Sequence, residues 1–549
     1  MATNLVNLDA LIIREDLSVR SDRPPSTRLN LIRTTDLEAG NFFYGSLRKP
    51  DFQRETSNWS PQKIVEFLKT FVEDELIPAV ILWDAGENVF VIDGAHRLSA
   101  LIAWVQDDYG DKMTSLKFFE NNIPAAQIKA AEETRTLIAK EIGSYAAHKV
   151  AMRHPETSRS DIAARAKRLG ILGLELQTVK TPASEKAEEA FFKINQETTP
   201  IDPTELTILR ARKSANAIAA RAIIRSGTGH NYWSHFSDDA QTEIKKLASE
   251  VYNALYEPQL ETPIETLDLP VAGRGYAAQT LPLVFDLVNL ANDIKTPPQK
   301  KANTKKNVDL NLAEDNTNYD ADGTKTIRFL GNTLKLVNRI CGTHASSLGL
   351  HPALYFYGQS GNYQPSAFLG MAMFIKWLGD EDKWKEFTEA RARFEKFLLV
   401  RRTFITEIVH KLGGRERSIP WIKTFYEKLL GWISSSGDQE DIMQYMKNDP
   451  DFSFLLNTKP TPESNTNKDG QKFHRKTKSA VFLNQALEHP NTCNLCGGLL
   501  HRNAITTGHI QDRSAKGSAD FANGQTEHPY CNSTFKGSQY RKLSADAAI

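Results

Sequence analysis

Four side chains of the types that bind zinc lie close together near the C-terminus. Cys493 and Cys496 form one pair separated by two residues, and His528 and Cys531 form a second pair with the same spacing. Structural zinc sites take four such ligands, usually as two pairs. A spacing of two residues within a pair lets a tight turn aim both side chains at one ion. Four protein ligands close the coordination shell, so we predict that the ion stabilises the fold and leaves chemistry to other residues.

Three further polar residues lie between or beside these two pairs. His509 lies near the end of the segment NAITTGHI, Asn523 follows 14 positions later, and Asn532 comes directly after Cys531. An imidazole titrates near neutral pH and can act as a general base, whereas an amide oxygen suits a hard cation such as Mg²⁺. Hydrolysis of a phosphodiester needs both a base that activates water and a cation that neutralises phosphate charge.

In order and spacing, these residues resemble the HNH endonucleases over about 45 residues. The resemblance implies a zinc-stabilised ββα-metal domain that cuts DNA with Mg²⁺ or Mn²⁺. It implies that His509 is the general base, that Asn523 orients this base or braces the loop, and that Asn532 binds the catalytic ion. The family usually has Asp, Glu or His directly before the base, where this chain has Gly508, so the second ligand of the catalytic ion stays open.

A second group of polar residues follows an apolar run in the first hundred residues. Asp93 and Gly94 end a predicted strand, and His96 and Arg97 precede a helical pattern. A glycine at such a turn allows close approach of a ligand, the free N–H groups of a helix start attract anions, and Arg97 offers a forked donor. This pattern predicts a site for a nucleotide phosphate. The alternative is an ion pair between Asp93 and Arg97 that only fixes the turn.

The same residues resemble the DGQQR or DGQHR motif of ParB/sulfiredoxin-like domains, as in GmrSD-type restriction proteins and Ssp nucleases that sense phosphorothioate DNA. Other parts of that pattern recur as PDFQR with Trp59, Phe191 with Asn195, and IDPTEL, so the resemblance spans residues 10–215. It implies binding or hydrolysis of a nucleoside triphosphate, with Ala95 in place of a family Gln weakening the case for hydrolysis. The implied binding residues are Gln53, Arg54, Asp93, Gly94, His96, Arg97 and Asn195.

Several predicted elements must position these two groups. Residues 77–83 and 88–93 have the composition of two strands joined by a tight turn. Residues 60–76 predict a helix that begins with a Ser cap and a proline in the first turn. Asp202 and Pro203 predict the start of a later helix.

The chain is too long for one core, because single domains seldom exceed about 250–300 residues. The predicted fold class is α+β multidomain. We expect a ParB-like α/β domain at residues 1–215, and a mostly α-helical middle at 216–455 with a polar excursion at 293–326. A basic linker at 456–478 then leads to the HNH domain at 479–549.

Charge and cysteine content restrict the function classes. The 68 Lys and Arg residues nearly balance 67 Asp and Glu residues, but residues 471–549 contain ten basic and five acidic side chains. This local excess predicts contacts with DNA phosphates. The basic side chains expected to make them are Lys472, Arg475, Lys476, Lys478, Lys536, Arg541 and Lys542.

The four cysteines do not form the pattern of a disulfide framework, and they indicate a reducing compartment. No stretch approaches 18 consecutive apolar residues, so we expect a cytoplasmic protein with no membrane partner.

These features together predict a DNA endonuclease of a restriction or antiviral defence type that acts on double-stranded DNA, including modified or phage DNA. Its HNH domain would cut, and its ParB-like domain would sense a nucleotide or a DNA modification. Two alternatives stay open: a non-catalytic DNA-binding regulator with a structural zinc module, and an NTPase that acts on a partner. A homo-oligomer is compatible with each of these three functions.

Overall fold

In the computed structural model the chain forms two compact units. The first unit comprises residues 1–237, 276–282 and 307–320, and the second comprises 238–275, 283–306 and 321–549. No helix among the described residues is long and apolar enough to cross a membrane. The structure describes residues 5–15, 30–51, 53, 56–57, 59–179, 184–198, 204, 207–208, 211–257, 272, 280–294, 318–358, 361–413, 415–435, 439–456, 483, 485–518 and 521–537.

A mixed six-stranded sheet forms the centre of the first unit. Its strand order is β1-β3-β5-β4-β6-β2, and the β4–β5 and β2–β6 pairs are antiparallel whereas the other pairs are parallel. The strands in chain order are β1 Ile13–Glu15, β2 Leu31–Arg33, β3 Leu47–Pro50, β4 Val80–Asp84, β5 Val89–Asp93 and β6 Gly173–Val179. The predicted strand pair with a tight turn is therefore confirmed. Its first strand begins at Val80 rather than at residue 77, because Pro78 has no N–H group for a ladder hydrogen bond.

The described part of the first unit also contains nine helices. They are α1 Phe42–Ser46, α2 Pro61–Val72, α3 Ala95–Gln106, α4 Met113–Phe118, α5 Ala125–Glu141, α6 Tyr145–Arg153, α7 Ser160–Leu169, α8 Ser184–Thr198 and α9 Ala215–Ile224. The predicted cap is confirmed at α2, where the Ser60 hydroxyl accepts from the Lys63 N–H and Pro61 is the first helical residue. Asp202 and Pro203, the other predicted helix start, lie outside the described residues.

Helices cover both faces of the sheet, and the alternation of side chains along β5 shows how. Val91 packs into the main core together with residues of α2, α3 and α5. Phe90 and Ile92 point the other way, into a smaller cluster with Ala187 and Phe191 of α8. Because side chains on both faces of β5 are packed, the position at which β5 ends and the next turn begins is fixed.

A buried carboxylate fixes the edge of this sheet. Asp9 is fully buried and pairs with Arg14 at 2.7 Å, Lys49 at 2.8 Å and Arg225 at 2.8 Å. Burial alone would raise the pKa of Asp9, but the three positive charges outweigh it and hold this pKa well below its usual value. Burial also lowers the pKa of Lys49 to about 8, although Asp9 opposes that change.

The second unit is mainly helical. Its helices begin with α10 Asp238–Tyr256 and α11 Thr280–Ala291, whose first three residues belong to the first unit. They continue with α12 Thr324–Ile340, α13 Pro352–Tyr355, α14 Pro365–Asp380, α15 Trp384–Val400, α16 Phe404–Leu412, α17 Arg415–Ser435 and α18 Gln439–Asn448. A two-stranded antiparallel hairpin follows, formed by β7 Thr506–His509 and β8 Gly524–Glu527.

The α+β class is thus confirmed, and α12 begins inside the predicted polar excursion. The ParB-like and HNH folds and the predicted domain limits stay predictions.

Replacement of Asp9 by Asn should destabilise the first unit by about 3–5 kcal/mol, because it leaves three buried cations without their shared anion. The stabilisation by Asp9 is complete above its unfolded pKa, near pH 4, and is lost as the pH falls towards its lower folded pKa. Hydrogen exchange of the β3 and β5 amides would measure the loss. Asp74→Asn is the matched control, because the pair of Asp74 with Arg168 is exposed and worth less than about 1 kcal/mol. Equal effects of the two substitutions would contradict the assigned role of Asp9.

Candidate functional site

The four predicted zinc ligands meet at one point in the second unit. Their ligand atoms all lie within 4.8 Å of one another, and all four residues are buried. His528 Nδ1 lies 3.4 Å from the Cys496 sulphur and 3.9 Å from the Cys531 sulphur. Three thiols and one imidazole around a common centre form a donor set that can bind zinc.

The orientation of the His528 ring is fixed by its second nitrogen. His528 Nε2 lies 3.0 Å from the Leu499 carbonyl oxygen, and a proton on Nε2 leaves the Nδ1 lone pair facing the sulphurs. Burial and the positive charge of Arg391 lower the pKa of His528, so the ring is held neutral. A neutral imidazole is the form that coordinates a metal.

Among the three cysteines, Cys493 is the thiol that loses its proton most readily. The pKa of Cys493 is lowered because the Cys496 and Cys531 thiols donate to its sulphur. As donors to Cys493, the other two cysteines have raised pKa values, that of Cys496 reaching about 12. A bound cation would replace these shared protons, so metal uptake should release protons.

A buried ion pair on α15 contacts residues beside the four predicted zinc ligands. Arg391 pairs with Glu395 at 2.8 Å, donates to the Leu348 carbonyl oxygen, and lies 3.3 Å from His528 Nδ1. Glu395 accepts from the Leu499 N–H, beside the tight turn that carries Cys493 and Cys496 (the knuckle), and from the Tyr355 hydroxyl. The helical part of the second unit therefore contacts both the segment beside Cys496 and the ring of His528.

His509 ends β7, and the hairpin that carries it is closed by the second ligand pair. Thr506 pairs with Glu527 and His509 pairs with Gly524, so β8 leads directly into His528. His509 is half-buried, which leaves part of its ring accessible. A helical segment over residues 529–537, π-helical at Cys531–Phe535, completes a strand-strand-helix order.

Asn523 braces the loop that follows His509. Its side chain accepts from the Gln511 N–H at 2.7 Å and donates to the Gln511 and Ser518 carbonyl oxygens at 3.1 and 2.6 Å. Its backbone carbonyl also accepts from the Ile510 N–H. The loop is thus pinned at both ends by one amide.

Asn532 and Lys536 lie one turn apart on the helical segment and therefore share a side of it. Asn532 is exposed, whereas Lys536 is buried and donates to the backbone carbonyl of His509. The prediction of Lys536 as a DNA-contacting surface cation is wrong, because its ammonium points inward and pairs with Glu527 at 3.6 Å. The other predicted phosphate contacts, residues 472, 475, 476, 478, 541 and 542, lie outside the described residues.

In the first unit, Asp93 and Arg97 form an ion pair at 2.8 Å. Arg97 also donates to the Ala79 carbonyl oxygen, and Gly94 between the two residues has φ +89°, which favours glycine. Helix α3 begins at Ala95, three residues before the predicted start at Leu98, so His96 and Arg97 lie inside the helix rather than before it. The turn is therefore a strand-to-helix junction in which the predicted phosphate donor already has a carboxylate partner.

Other predicted nucleotide-binding residues lie around this turn. The Gln53 amide donates to the Ile92 carbonyl oxygen at 3.5 Å, and the His96 ring stacks on Trp59 with centroids 5.7 Å apart. Asn195 lies on α8, one turn after the Phe191 that packs against β5. Arg54 lies outside the described residues.

A cleft of about 850 Å³ opens elsewhere in the first unit, and none of the residues from 93 to 97 lines it. Basic, acidic and aromatic side chains share its wall. They are Arg14, Glu15, Asp51, Arg212, Lys213, His230, Tyr232, His235 and Tyr319, together with Asn231 and Ser234. Burial and the charges of Arg14 and Arg225 lower the pKa of His230 to about 3, so this histidine is neutral at physiological pH.

Residues 37–212 match the family model of the GmrSD restriction endonuclease N-terminal domain. The GmrSD-type match covers about a third of the chain and includes α1 to α8 and strands β3 to β6. Searches of curated proteins and of solved structures gave no match. The turn after β5 lies inside the GmrSD-type segment, whereas the Cys₃His group and His509 lie beyond it.

Several residues of these sites have no signal in the sequence. Arg391 and Glu395 belong to an amphipathic helix in which they look like ordinary surface charges. The cleft collects residues from positions 14 to 319, and no motif joins them. Glu527 directly precedes His528, a predicted zinc ligand, and this position is the one local sign that could have drawn attention to it.

Replacement of Cys531 by Ala should remove bound zinc from the purified chain, because three remaining ligands do not close a tetrahedral shell. Metal content measured by mass spectrometry should fall from about one zinc per chain to near zero. Cys341→Ala is the control, since Cys341 is also a buried thiol of the second unit but lies outside the group, and it should keep its zinc. Zinc retained by the Cys531 variant would show that the group is not the binding site.

Proposed function

We propose that this chain is a restriction-type DNA endonuclease whose C-terminal module, residues 479–549, hydrolyses phosphodiesters and whose GmrSD-type domain regulates it. The observation that carries the proposal is the position of His509, at the end of a hairpin closed by the Cys₃His group and followed by a helical segment. The GmrSD-type match supports a nuclease role independently of that module. Double-stranded DNA, including modified or phage DNA, is the proposed substrate.

In this proposal, zinc occupies the Cys₃His group and His509 removes a proton from the attacking water. The loop pinned by Asn523 keeps the His509 backbone in place, and the side chain of Asn532 supplies an amide oxygen from the facing helical segment. A divalent ion such as Mg²⁺ or Mn²⁺, when bound there, would neutralise charge on the phosphate.

His509→Ala should reduce nicking of plasmid DNA in the presence of Mg²⁺ or Mn²⁺ by at least about 100-fold, because general base catalysis contributes that much or more. Zinc content should not change, since His509 is not one of the four ligands. His489→Ala is the matched control, an exposed histidine of the same module that should leave cutting intact. Undiminished cutting by the His509 variant would refute the assignment.

A non-catalytic DNA-binding regulator is the second candidate. The buried Lys536 favours it, because an ammonium group that pairs with Glu527 and donates to the His509 carbonyl brings positive charge to the place where a catalytic cation would act. This candidate predicts salt-dependent DNA binding without any cleavage in Mg²⁺ or Mn²⁺, so the plasmid assay separates it from the nuclease.

For the GmrSD-type domain we propose a nucleoside triphosphate as the regulatory ligand. The sequence places its phosphates at Asp93, Gly94, His96 and Arg97, with Gln53, Arg54 and Asn195 nearby. The cleft is the better supported location, because its volume of about 850 Å³ is that of a ligand pocket and Arg212 and Lys213 line it. Tyr319, which is 47% exposed at the cleft wall, offers an aromatic face for a base. NTPase activity on a partner is the remaining alternative.

Lys213→Ala should weaken binding of a fluorescent ATP or GTP analogue by about tenfold, the usual effect of losing one charged contact to phosphate. Lys167→Ala is the control, an exposed lysine of the same unit that does not line the cleft. A loss of binding in Arg97→Ala with none in Lys213→Ala would place the phosphates at the turn after β5 instead.

A further inference from the structure

Gly508 is a glycine because another side chain fills its side-chain space. A Cβ atom at residue 508 would lie 2.3–2.4 Å from the carboxylate atoms of Glu527. Thr506 and Glu527 are paired across the hairpin, so residues 506, 508 and 527 all project from the same face. The Glu527 carboxylate therefore takes the place that a carboxylate on residue 508 would have.

The two oxygens of Glu527 have different surroundings. Oε1 accepts from the Gln525 side-chain amide at 2.6 Å and pairs with Lys536 at 3.6 Å. Glu527 is completely buried, and its Oε2 has no hydrogen-bond partner among the described residues. A buried carboxylate oxygen without a partner costs free energy unless a cation or a donor completes it.

The side chain of Lys536 shows which element covers this face. Lys536 belongs to the helical segment and reaches both Glu527 and the His509 backbone, so the segment packs over the face from which Glu527 projects. Asn532 lies one turn before Lys536 on the same side of that segment. Carboxylate and amide oxygens are the ligands that Mg²⁺ and Mn²⁺ prefer.

We infer that Glu527 is the carboxylate ligand of a divalent cation, with Oε2 facing the ion and Asn532 supplying an amide oxygen. This inference rests on the proposed nuclease function and identifies the ligand that Gly508 cannot supply. The carboxylate comes from β8 instead of β7, and Gln525 and Lys536 hold its other oxygen so that Oε2 points in one direction. Glycine at residue 508 is then a requirement of the site.

The test uses the full-length chain loaded with zinc, and Mn²⁺ as the probe. Titration followed by electron paramagnetic resonance should show that Glu527→Gln weakens Mn²⁺ binding by about tenfold or more, because a neutral amide is a poorer ligand than a carboxylate. Glu488→Gln, an exposed residue of the same module, should bind Mn²⁺ like the unchanged chain. Zinc content reports whether each variant keeps its fold.

A relocated carboxylate provides the second variant. Gly508→Asp alone should disturb the hairpin, because its side chain collides with Glu527. Gly508→Asp combined with Glu527→Ala should restore Mn²⁺ binding to within about tenfold of the unchanged chain, since a carboxylate again occupies the same space.

Unchanged Mn²⁺ affinity in a zinc-loaded Glu527→Gln chain would overturn the inference. Loss of zinc from both Glu527→Gln and the double variant Gly508→Asp with Glu527→Ala would also overturn the inference, because Glu527 would then be a structural support of the knuckle. If His509→Ala still cuts DNA while Glu527→Gln loses Mn²⁺, the nuclease assignment of His509 fails and the ligand stands. If His509→Ala is inactive and Glu527→Gln binds and cuts normally, only the present inference fails.

Discussion

The convergence of Cys493, Cys496, His528 and Cys531 on one point is the constraint on which the C-terminal module depends. The apolar cluster around these cysteines contains only Leu500 and Ile505, with Leu495 packed against it, among the described residues. So small a core contributes little hydrophobic stabilisation, and modules of this kind are commonly stabilised by a metal. The group joins the turn at Cys493 and Cys496 to the end of β8, so its closure ties the hairpin that carries His509 to the rest of the module.

The helical middle acquires a physical role from the same constraint. Arg391 and Glu395 are both almost fully buried, and their hydrogen bonds end on Leu348, Leu499 and the neighbourhood of His528. A buried ion pair is stable only where such additional bonds satisfy its charges. The helices of the second unit therefore form a scaffold that fixes where the knuckle and its histidine lie, and they keep the His528 ring neutral for coordination.

Features with local patterns could be predicted from the sequence, and features made by distant residues could not. The spacing within each ligand pair, the turn between β4 and β5 and the Ser60 cap involve residues three to five positions apart, and the structure shows each of them. Asp9 with Arg225 joins residues 216 positions apart, and Arg391 with His528 joins residues 137 apart, so neither pair leaves a periodic signal. The inward direction of Lys536 was equally hidden, because a basic residue in a basic segment resembles a surface residue until its carboxylate partner on β8 is known.

X-ray absorption at the zinc edge of the purified full-length chain tests the central claim most directly, because it reports the ligands of the ion themselves. Zinc bound by the Cys₃His group should have a first shell of three sulphur atoms at about 2.3 Å and one nitrogen atom at about 2.0–2.1 Å. A shell of oxygen and nitrogen atoms alone, or a chain purified without zinc that still keeps the β7–β8 hairpin folded, would contradict the central claim.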